Sequence, residues 1–405
     1  MLMLKALRVK SIRLLWIGQA FSSIGDEIYR VGLIWIAVGL IGADAGYLNC
    51  AQLAALMIMS FVGGKWADHW DPLPTMMRVD AWRFFIVLVP VVYSFFAPIS
   101  LGLLTTVAIL LSGLGAFFDP AIQSVLPAFS PNGETLQSAM GLMMTTIRLA
   151  RMVGPGLVGI LATMIPPIHF FTMDAITFAV SFWTLKALPH APRESKIQRP
   201  RMSVVEAILS GFRILQSDPE MRFVLWTKAI TGGTWTLAFG LGYALLVQEI
   251  AAHDTRAFGL TIAAYGIGNF AGALYFGNRT RVRPALMMFI GYIWLGTGFV
   301  MNAFCYSIPW LMVSAAYTGF SGTANEVTFF DMVQTRFARA DVTKIARFRV
   351  ANDTLVTLVL MLFAPMLFRM LGVRTVIASC GVIWICVGVA GMYHRVRKFE
   401  VPAST

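Results

Sequence analysis

Apolar positions along this chain fall in runs of about twenty residues, separated by short polar breaks, with only one long polar interval. A helix of that length spans the roughly 30 Å hydrocarbon core of a bilayer. The pattern predicts twelve crossings, at residues 12–40, 47–66, 76–97, 100–120, 136–163, 167–187, 222–249, 257–277, 284–304, 309–334, 346–370 and 373–393. The long polar interval runs from Pro189 to about Pro219, is rich in Pro, Arg, Lys and Ser, and leaves six crossings on either side. The expected fold class is therefore an all-α membrane protein of two six-helix bundles, residues 1–187 and 222–405, joined by a cytoplasmic linker at 188–221. Inside the linker, Ser203 and Glu206 have the spacing of a capping box, and Val204, Val205, Ile208, Phe212 and Leu215 share one helical face. Such a helix suits the membrane surface; a solvated linker helix fits the same pattern.

The two halves look like repeats. Gly64 and Gly277 close the second and eighth crossings at an offset of 213, and Asp119 and Asp331 close the fourth and tenth at 212. Pro155 and Pro365 lie in the fifth and eleventh at 210. Three matches at nearly one offset point to two bundles related by duplication, a geometry in which one half can rock against the other.

Composition removes the soluble alternatives. The 405 residues are 58% hydrophobic and 13% charged, with a mean hydropathy of +0.72, whereas soluble domains carry about 25% charged residues. The net charge of +12 would suit nucleic acid, but its distribution points to a membrane instead. Of 32 Lys and Arg, 24 fall on the side of the N-terminus, the central linker and the tail, three (Arg256, Arg369, Arg374) on the other, and five inside crossings. The positive-inside rule then puts both termini in the cytoplasm. The first apolar stretch runs straight into Asp26 and Glu27 without a small-residue cleavage site, so it reads as a retained helix. Cys50, Cys305, Cys380 and Cys386 show neither disulfide nor metal-ligand spacing and read as small buried residues.

No enzyme motif is present: there is no Walker loop, HExxH or GxSxG. The nearest string, Gly266 to Gly272, lies within the eighth crossing without a preceding strand, where Gly268 and Gly272 suit close helix contact. No cofactor and no metal is expected.

The informative residues are charges within apolar helices, each costing about 2.5–3.5 kcal/mol at mid-bilayer unless it faces protein or a cavity. The first crossing holds Asp26, Glu27 and Arg30, spaced so that at least one carboxylate can pair with the arginine. Arg148 and Arg151 share a face of the fifth, and Arg151 lies at the same depth as Asp26, roughly 21 Å from the cytoplasmic end at the helical rise. Asp174 is in the sixth crossing, with an Asp174–Arg151 contact expected; Lys228, Glu326 and Asp353 lie in the second half. These charges suit a relay in which a carboxylate takes up and returns a proton as water access changes sides. They equally suit static ion pairs, the reading given to Asp80 and Arg83 near the start of the third crossing. Tyr29, Trp35, Phe117, Trp235, Phe239, Tyr243, Tyr317 and Phe320 are candidates to stack on an amphipathic solute, although most of the 30 Phe and 11 Trp must face lipid.

Four strings carry a family resemblance: Phe21 through Asp26 and Tyr29 to Leu33; Phe117 through Asp119-Pro120 to Pro127; Ala150-Arg151 through Gly154-Pro155 to Gly159; and Asp174 to Ser181. On these the chain resembles the major facilitator superfamily, and more narrowly its enterobactin-exporter and macrolide-efflux-like branch. The likeness covers nearly the whole chain. It implies the major facilitator fold, alternating access, and a cytoplasmic latch in the loop after the second helix. That loop retains Gly64 and Asp68, but His69 stands where the family has arginine, and a Pro-Leu-Pro run replaces its basic residues. The antiporter signature of the fifth helix is met at Gly154, Pro155 and Gly159, with Ala150 and Val158 departing from it. The resemblance thus favours export over import.

The resulting expectation is a monomeric, proton-coupled exporter of an amphipathic small molecule, a siderophore or drug, in a bacterial inner membrane. Its partners are substrate, protons and the lipid bilayer, with no nucleic acid. Asp26, Glu27, Arg30, Arg148, Arg151 and Asp174 are the coupling candidates. Gly64, Asp68, His69, Gly154, Pro155 and Gly159 are the gating and packing candidates, and Tyr29, Phe117, Trp235, Phe239, Tyr243, Tyr317 and Glu326 the cavity candidates. The alternatives are a lysolipid flippase or a nutrient importer on the same fold, and, less favoured, a non-transporting membrane receptor.

Overall fold

Helices account for nearly every residue described in the computed structural model, which covers 6–67, 71–189, 204–277 and 284–395, and there is no strand among them. The first half comprises α1 (Lys10–Ile41), α2 (Ala45–Ala67), α3 (Pro72–Tyr93), α4 (Leu101–Ala128), α5 (Gly133–Leu161) and α6 (His169–Lys186). A short helix, α7 (Val204–Gln216), precedes α8 (Pro219–Ala251), α9 (Thr255–Gly277), α10 (Pro284–Ala303), α11 (Ile308–Arg336), α12 (Arg339–Leu371) and α13 (Val373–Arg395). Omitting α7, these are the twelve expected crossings. Seven helical stretches among the described residues are apolar enough to cross a membrane on length and composition alone. Helix α3 shows why others are not, since Arg78, Asp80 and Arg83 interrupt its apolar run.

Local chemistry sets the helix ends. Ser100 caps α4 by accepting a hydrogen bond from the Leu103 amide at 3.3 Å. Asp218 caps α8 by accepting from the Met221 amide at 3.0 Å, with Pro219 pre-set at the first turn. Gly372, at φ +78°, provides the left-handed residue that ends α12 and lets α13 begin directly. The sequence predicted α8 as one regular helix; in the structure Thr236–Gly242 is a π-helical turn within it.

The chain forms two compact units. The first contains Met1–Ile41, Leu48–Pro155 and Ile165–Arg201. Its central seam joins α1 to α6 through glycines seven residues apart, which keep to one face of a helix pair. A Cβ at Gly18 or Gly25 would collide with the hydroxyl of Thr184 or Thr177, and one at Gly32 would lie 2.8 Å from the Phe170 ring. Towards the start of α1 the core is apolar, with Ile12, Leu15, Met76, Val79, Phe117, Phe118 and Val125 packed together.

The second unit contains Gly42–Tyr47, Gly156–Met164 and Met202–Thr405. Here α9 and α11 approach until a Cβ at Gly268 or Gly272 would strike the carbonyl of Ala316 or Phe320, so these two glycines serve helix contact as expected. Helices α10 and α13 cross where Gly296 and Gly381 face each other's carbonyls at 2.5 and 2.6 Å from an added Cβ. Within the same unit Gly159 lies against the Gly259 carbonyl and Ala263, and Arg369 pairs with Asp44. Helix α7 does not stand alone on a surface: Gly211 abuts the Lys344 carbonyl, Phe212 packs 5.5 Å from Phe348 of α12, and Leu215 is fully buried. Its apolar face finds protein.

Large apolar side chains cover the outside, among them Trp82, Phe85, Trp183, Phe304 and Trp310, as lipid contact requires. None of the four cysteines forms a disulfide; Cys305 and Cys380 are buried and Cys50 half-buried, whereas Cys386 is exposed, contrary to the buried role expected for it.

Candidate functional site

The first unit concentrates charge where α1, α3, α5 and α6 pack. Glu27 is buried, and its carboxylate pairs with Arg30 one turn further on at 3.0 Å. Helix α5 approaches Glu27 closely because Gly154 has no side chain: a Cβ there would lie 2.9 Å from the Glu27 Cβ. The structure thus brings together a coupling candidate and a packing candidate that are 127 residues apart. Asp26, the neighbour of Glu27, is exposed, as are Arg30, Arg148 and Arg151.

Asp174 lies on α6, 1% exposed, opposite Gly25. The Thr177 hydroxyl donates to its backbone carbonyl at 2.8 Å and reaches its Oδ1 at 3.3 Å, while Oδ2 has no hydrogen-bond partner among the described residues. Its charged neighbours are Asp26, Arg83 and Asp80. The Asp174–Arg151 contact expected from sequence is not formed, since Arg151 is exposed on α5. Asp80 is fully buried on α3, and Arg83, one turn along, lies over the rings of Phe118 and Phe178 at 5.5 and 5.4 Å. From the sequence this pair, near the start of its crossing, reads as structural. The signal was available: two opposite charges three apart in an apolar helix. Tyr29 packs 5.4 Å from Phe171, its hydroxyl buried close to Asp174 and Asp26.

The second unit is built differently. Trp235 stacks on Phe239 at 4.9 Å, Phe239 lies 4.0 Å from Tyr265, and the Trp235 indole donates to the Tyr265 hydroxyl at 3.0 Å. The π-helical turn Thr236–Gly242 carries Phe239 and so sets its place in this group. Tyr243 is fully buried; Asn302 donates to its hydroxyl, and Phe299 meets it edge-on at 6.4 Å. Tyr317 lies 5.3 Å from Trp294 and shares a hydrogen bond with Thr297 at 3.2 Å. Half-buried Trp235 and Tyr317 retain accessible ring surface, while Tyr243 braces the rings behind them. Phe117 belongs to the apolar core of the first unit. Tyr265 and Asn302, which sequence reasoning did not single out, join these rings through polar atoms. Asp68 and His69 lie outside the described residues, as does the side chain of Glu326; Gly64 is placed near the end of α2.

The buried carboxylates of the first unit can move charge, and the stacked rings of the second can meet the apolar part of a solute; among the described residues no catalytic constellation accompanies either. Residues 3–322 match the family model described as transmembrane secretion effector, of the major facilitator group. The chain belongs to this family. Among similar proteins, the multidrug efflux pump Tap of Mycolicibacterium fortuitum is 24% identical over 310 residues, 73% of this chain and 74% of the pump. The enterobactin exporter EntS of Citrobacter koseri is 27% identical over 246 residues, 59% of this chain, so the match spans 57% of that exporter. Among solved structures, a nucleoside transporter, NupG, superposes with a TM-score of 0.69 at 12% identity, covering 94% of this chain and 99% of that one. A bacterial homologue of the iron transporter ferroportin, in its inward-facing state, gives 0.64 at 13% identity, covering 95% and 99%. At such identities the structures speak for the fold, which is the major facilitator fold. This member of the secretion effector family is therefore a multi-pass membrane protein and a secondary transporter of small molecules rather than an enzyme.

Proposed function

We propose that the protein exports an amphipathic small molecule, a siderophore or drug, across the bacterial inner membrane in exchange for protons, working as a monomer by alternating access of its two bundles. The observation that carries the coupling part is the burial of Glu27 and Asp174 inside an apolar helix bundle, next to a cation on α1 and another on α3. A carboxylate held there is costly when bare, so its charge has to be matched by a cation or a proton. Asp26 and Glu27 are the proton carriers, Arg30 and Arg151 their counter-charges, and Gly154-Pro155 the small-residue contact that allows α5 to move past Glu27. Export and the substrate class rest on the names of the similar proteins, a drug pump and a siderophore exporter. The aromatic group around Trp235 is the surface offered to the apolar part of the solute. The bias of Lys and Arg puts both termini in the cytoplasm.

The energetics suffice. One proton crossing 100 mV supplies about 2.3 kcal/mol, enough for roughly a 40-fold concentration ratio at 1.4 kcal/mol per decade. The test is proton release or uptake by proteoliposomes challenged with siderophores, macrolides and lysolipids. A substrate-dependent proton signal that disappears in the Asp26→Asn, Glu27→Gln double variant is the expected result. An unchanged signal in that variant removes the two carboxylates from the mechanism, and movement of lysolipid alone replaces the exporter with a flippase.

A further inference from the structure

Beyond Asp26 and Glu27, the first unit holds a second group of buried polar atoms whose charges do not balance. Asp80 of α3 and Asp174 of α6 are 0% and 1% exposed. Both Asp80 oxygens and Asp174 Oδ2 are buried without a hydrogen-bond partner among the described residues. So is the phenol of Tyr29, 8% exposed on α1 and close to Asp174. The groups that face the two carboxylates can be named helix by helix: Asp26 and Tyr29 from α1, Arg83 from α3, and Thr177 and Ser181 from α6. Among its described side chains helix α4 brings no charge; it contributes Phe118, beneath the guanidinium, and Gly115, where a Cβ would lie 2.7 Å from Arg83 Nη2.

Arg83 is therefore the cation shared by Asp80 and Asp174, wedged between the Phe118 and Phe178 rings and against Gly115. Among the described residues, two buried carboxylates and one buried guanidinium leave a surplus negative charge in this interior. Uncompensated, that charge costs several kcal/mol, and neutralisation by a proton is the ordinary outcome. A protonated carboxyl also supplies the donor that the orphaned acceptors lack. We propose that Asp80 and Asp174 share a single exchangeable proton across the α3–α6 interface, with Arg83 as the counter-ion of whichever carboxylate is ionised. The site adjoins Asp26 on α1, and it deepens the antiport reading by giving the first unit an internal second station. Its existence does not depend on that reading.

The test is infrared spectroscopy of the purified protein at neutral pH, which detects the carbonyl stretch of a protonated carboxyl and its downshift in deuterium oxide without any substrate. The wild type is expected to show this band. Asp80→Asn and Asp174→Asn are each expected to lose one carboxyl's worth of absorbance, because the remaining carboxylate is then matched by Arg83. The double variant loses no more than either single one, and Arg83→Gln gains one carboxyl's worth. Additive loss in the double variant would mean two independent protons and overturn the sharing. A wild-type band insensitive to either substitution, or no band at all, overturns the site. Arg83→Gln keeps both carboxylates in place, so the proposal can be read even where an asparagine variant fails to fold. A normal infrared result with no substrate-driven proton flux would leave this site standing and remove the antiport reading instead.

Discussion

The two units share a helical plan but not an interior. Among the described residues, the first unit buries Glu27, Asp80, Arg83 and Asp174, whereas the second buries only one charged side chain, Lys228. In place of the others it has rings and neutral polar groups: Trp235, Phe239, Tyr243, Tyr265, Phe299, Asn302 and Thr318. A charge within a membrane-spanning bundle responds to protons and voltage; a stacked ring does not. A common helical scaffold thus carries different chemistry in its two units, and under the proposed function coupling belongs to the first and solute contact to the second.

Both interiors depend on close approach by glycine, so the largest effects lie there. Gly25→Val drives a side chain into Asp174 Oδ1, 2.5 Å from the added Cβ, and into Thr177. In the second unit, Gly272→Val drives one into the Phe320 backbone carbonyl, which cannot rotate away. Each is expected to cost about 3 kcal/mol or more and to abolish monodisperse protein in size-exclusion chromatography. If Gly25→Val were tolerated while Gly272→Val were not, the first unit's seam would be a sliding contact rather than a fixed one.

Next comes the division of labour itself. The Asp26→Asn, Glu27→Gln variant is expected to reduce substrate-driven proton flux at least tenfold with solute binding retained. Trp235→Ala is expected to do the reverse, weakening binding about fivefold to tenfold, in line with roughly 1–1.5 kcal/mol for a lost aromatic contact, and leaving the proton yield per solute unchanged. Calorimetric binding alongside proteoliposome flux separates the two. Equal losses of both quantities in both variants would dissolve the comparison.

Much of this plan was legible in the sequence, because apolar run length is set by bilayer thickness and survives without tertiary information. The twelve crossings, and the presence of Glu27 and Asp174 within two of them, follow from that alone. What the sequence could not give is which way a side chain faces. Asp26 and Glu27 are adjacent and chemically alike, yet a 100° step around α1 leaves one exposed and the other against Gly154. Arg151, which matches Asp26 in depth, is also the expected contact of Asp174, but depth fixes only one coordinate, and Arg83 is the cation that faces Asp174. The π-helical turn in α8 was invisible because its residues, Thr236 to Gly242, are as apolar as those of a regular helix. The cap on α7 by Ser203 lies outside the described residues, and the packing of Gly211 and Phe212 of that helix on Lys344 and Phe348 of α12 could not be read from the sequence.

The smallest expected effect sharpens the comparison from the other side. The second unit also carries ion pairs, one along α12, where Arg349 meets Asp353 at 3.2 Å, and others at helix ends: Arg336 of α11 contacts Asp218 at 2.8 Å and Glu220 at 2.9 Å, tying the last turn of α11 to the first turn of α8. The guanidinium is 36% exposed, so water and salt screen the pair. Exposed pairs of this kind contribute about 0.2–1 kcal/mol. Arg336→Gln should therefore lower the apparent Tm by a few degrees at most, more at low salt than at high salt, and leave both binding and proton yield as in the wild type. A change in proton yield would mean that this clamp reports on the transport cycle, and that charge in the second unit does more than fasten helix ends. A purely thermal effect would leave this clamp outside the transport cycle, a fastening of helix ends and nothing more.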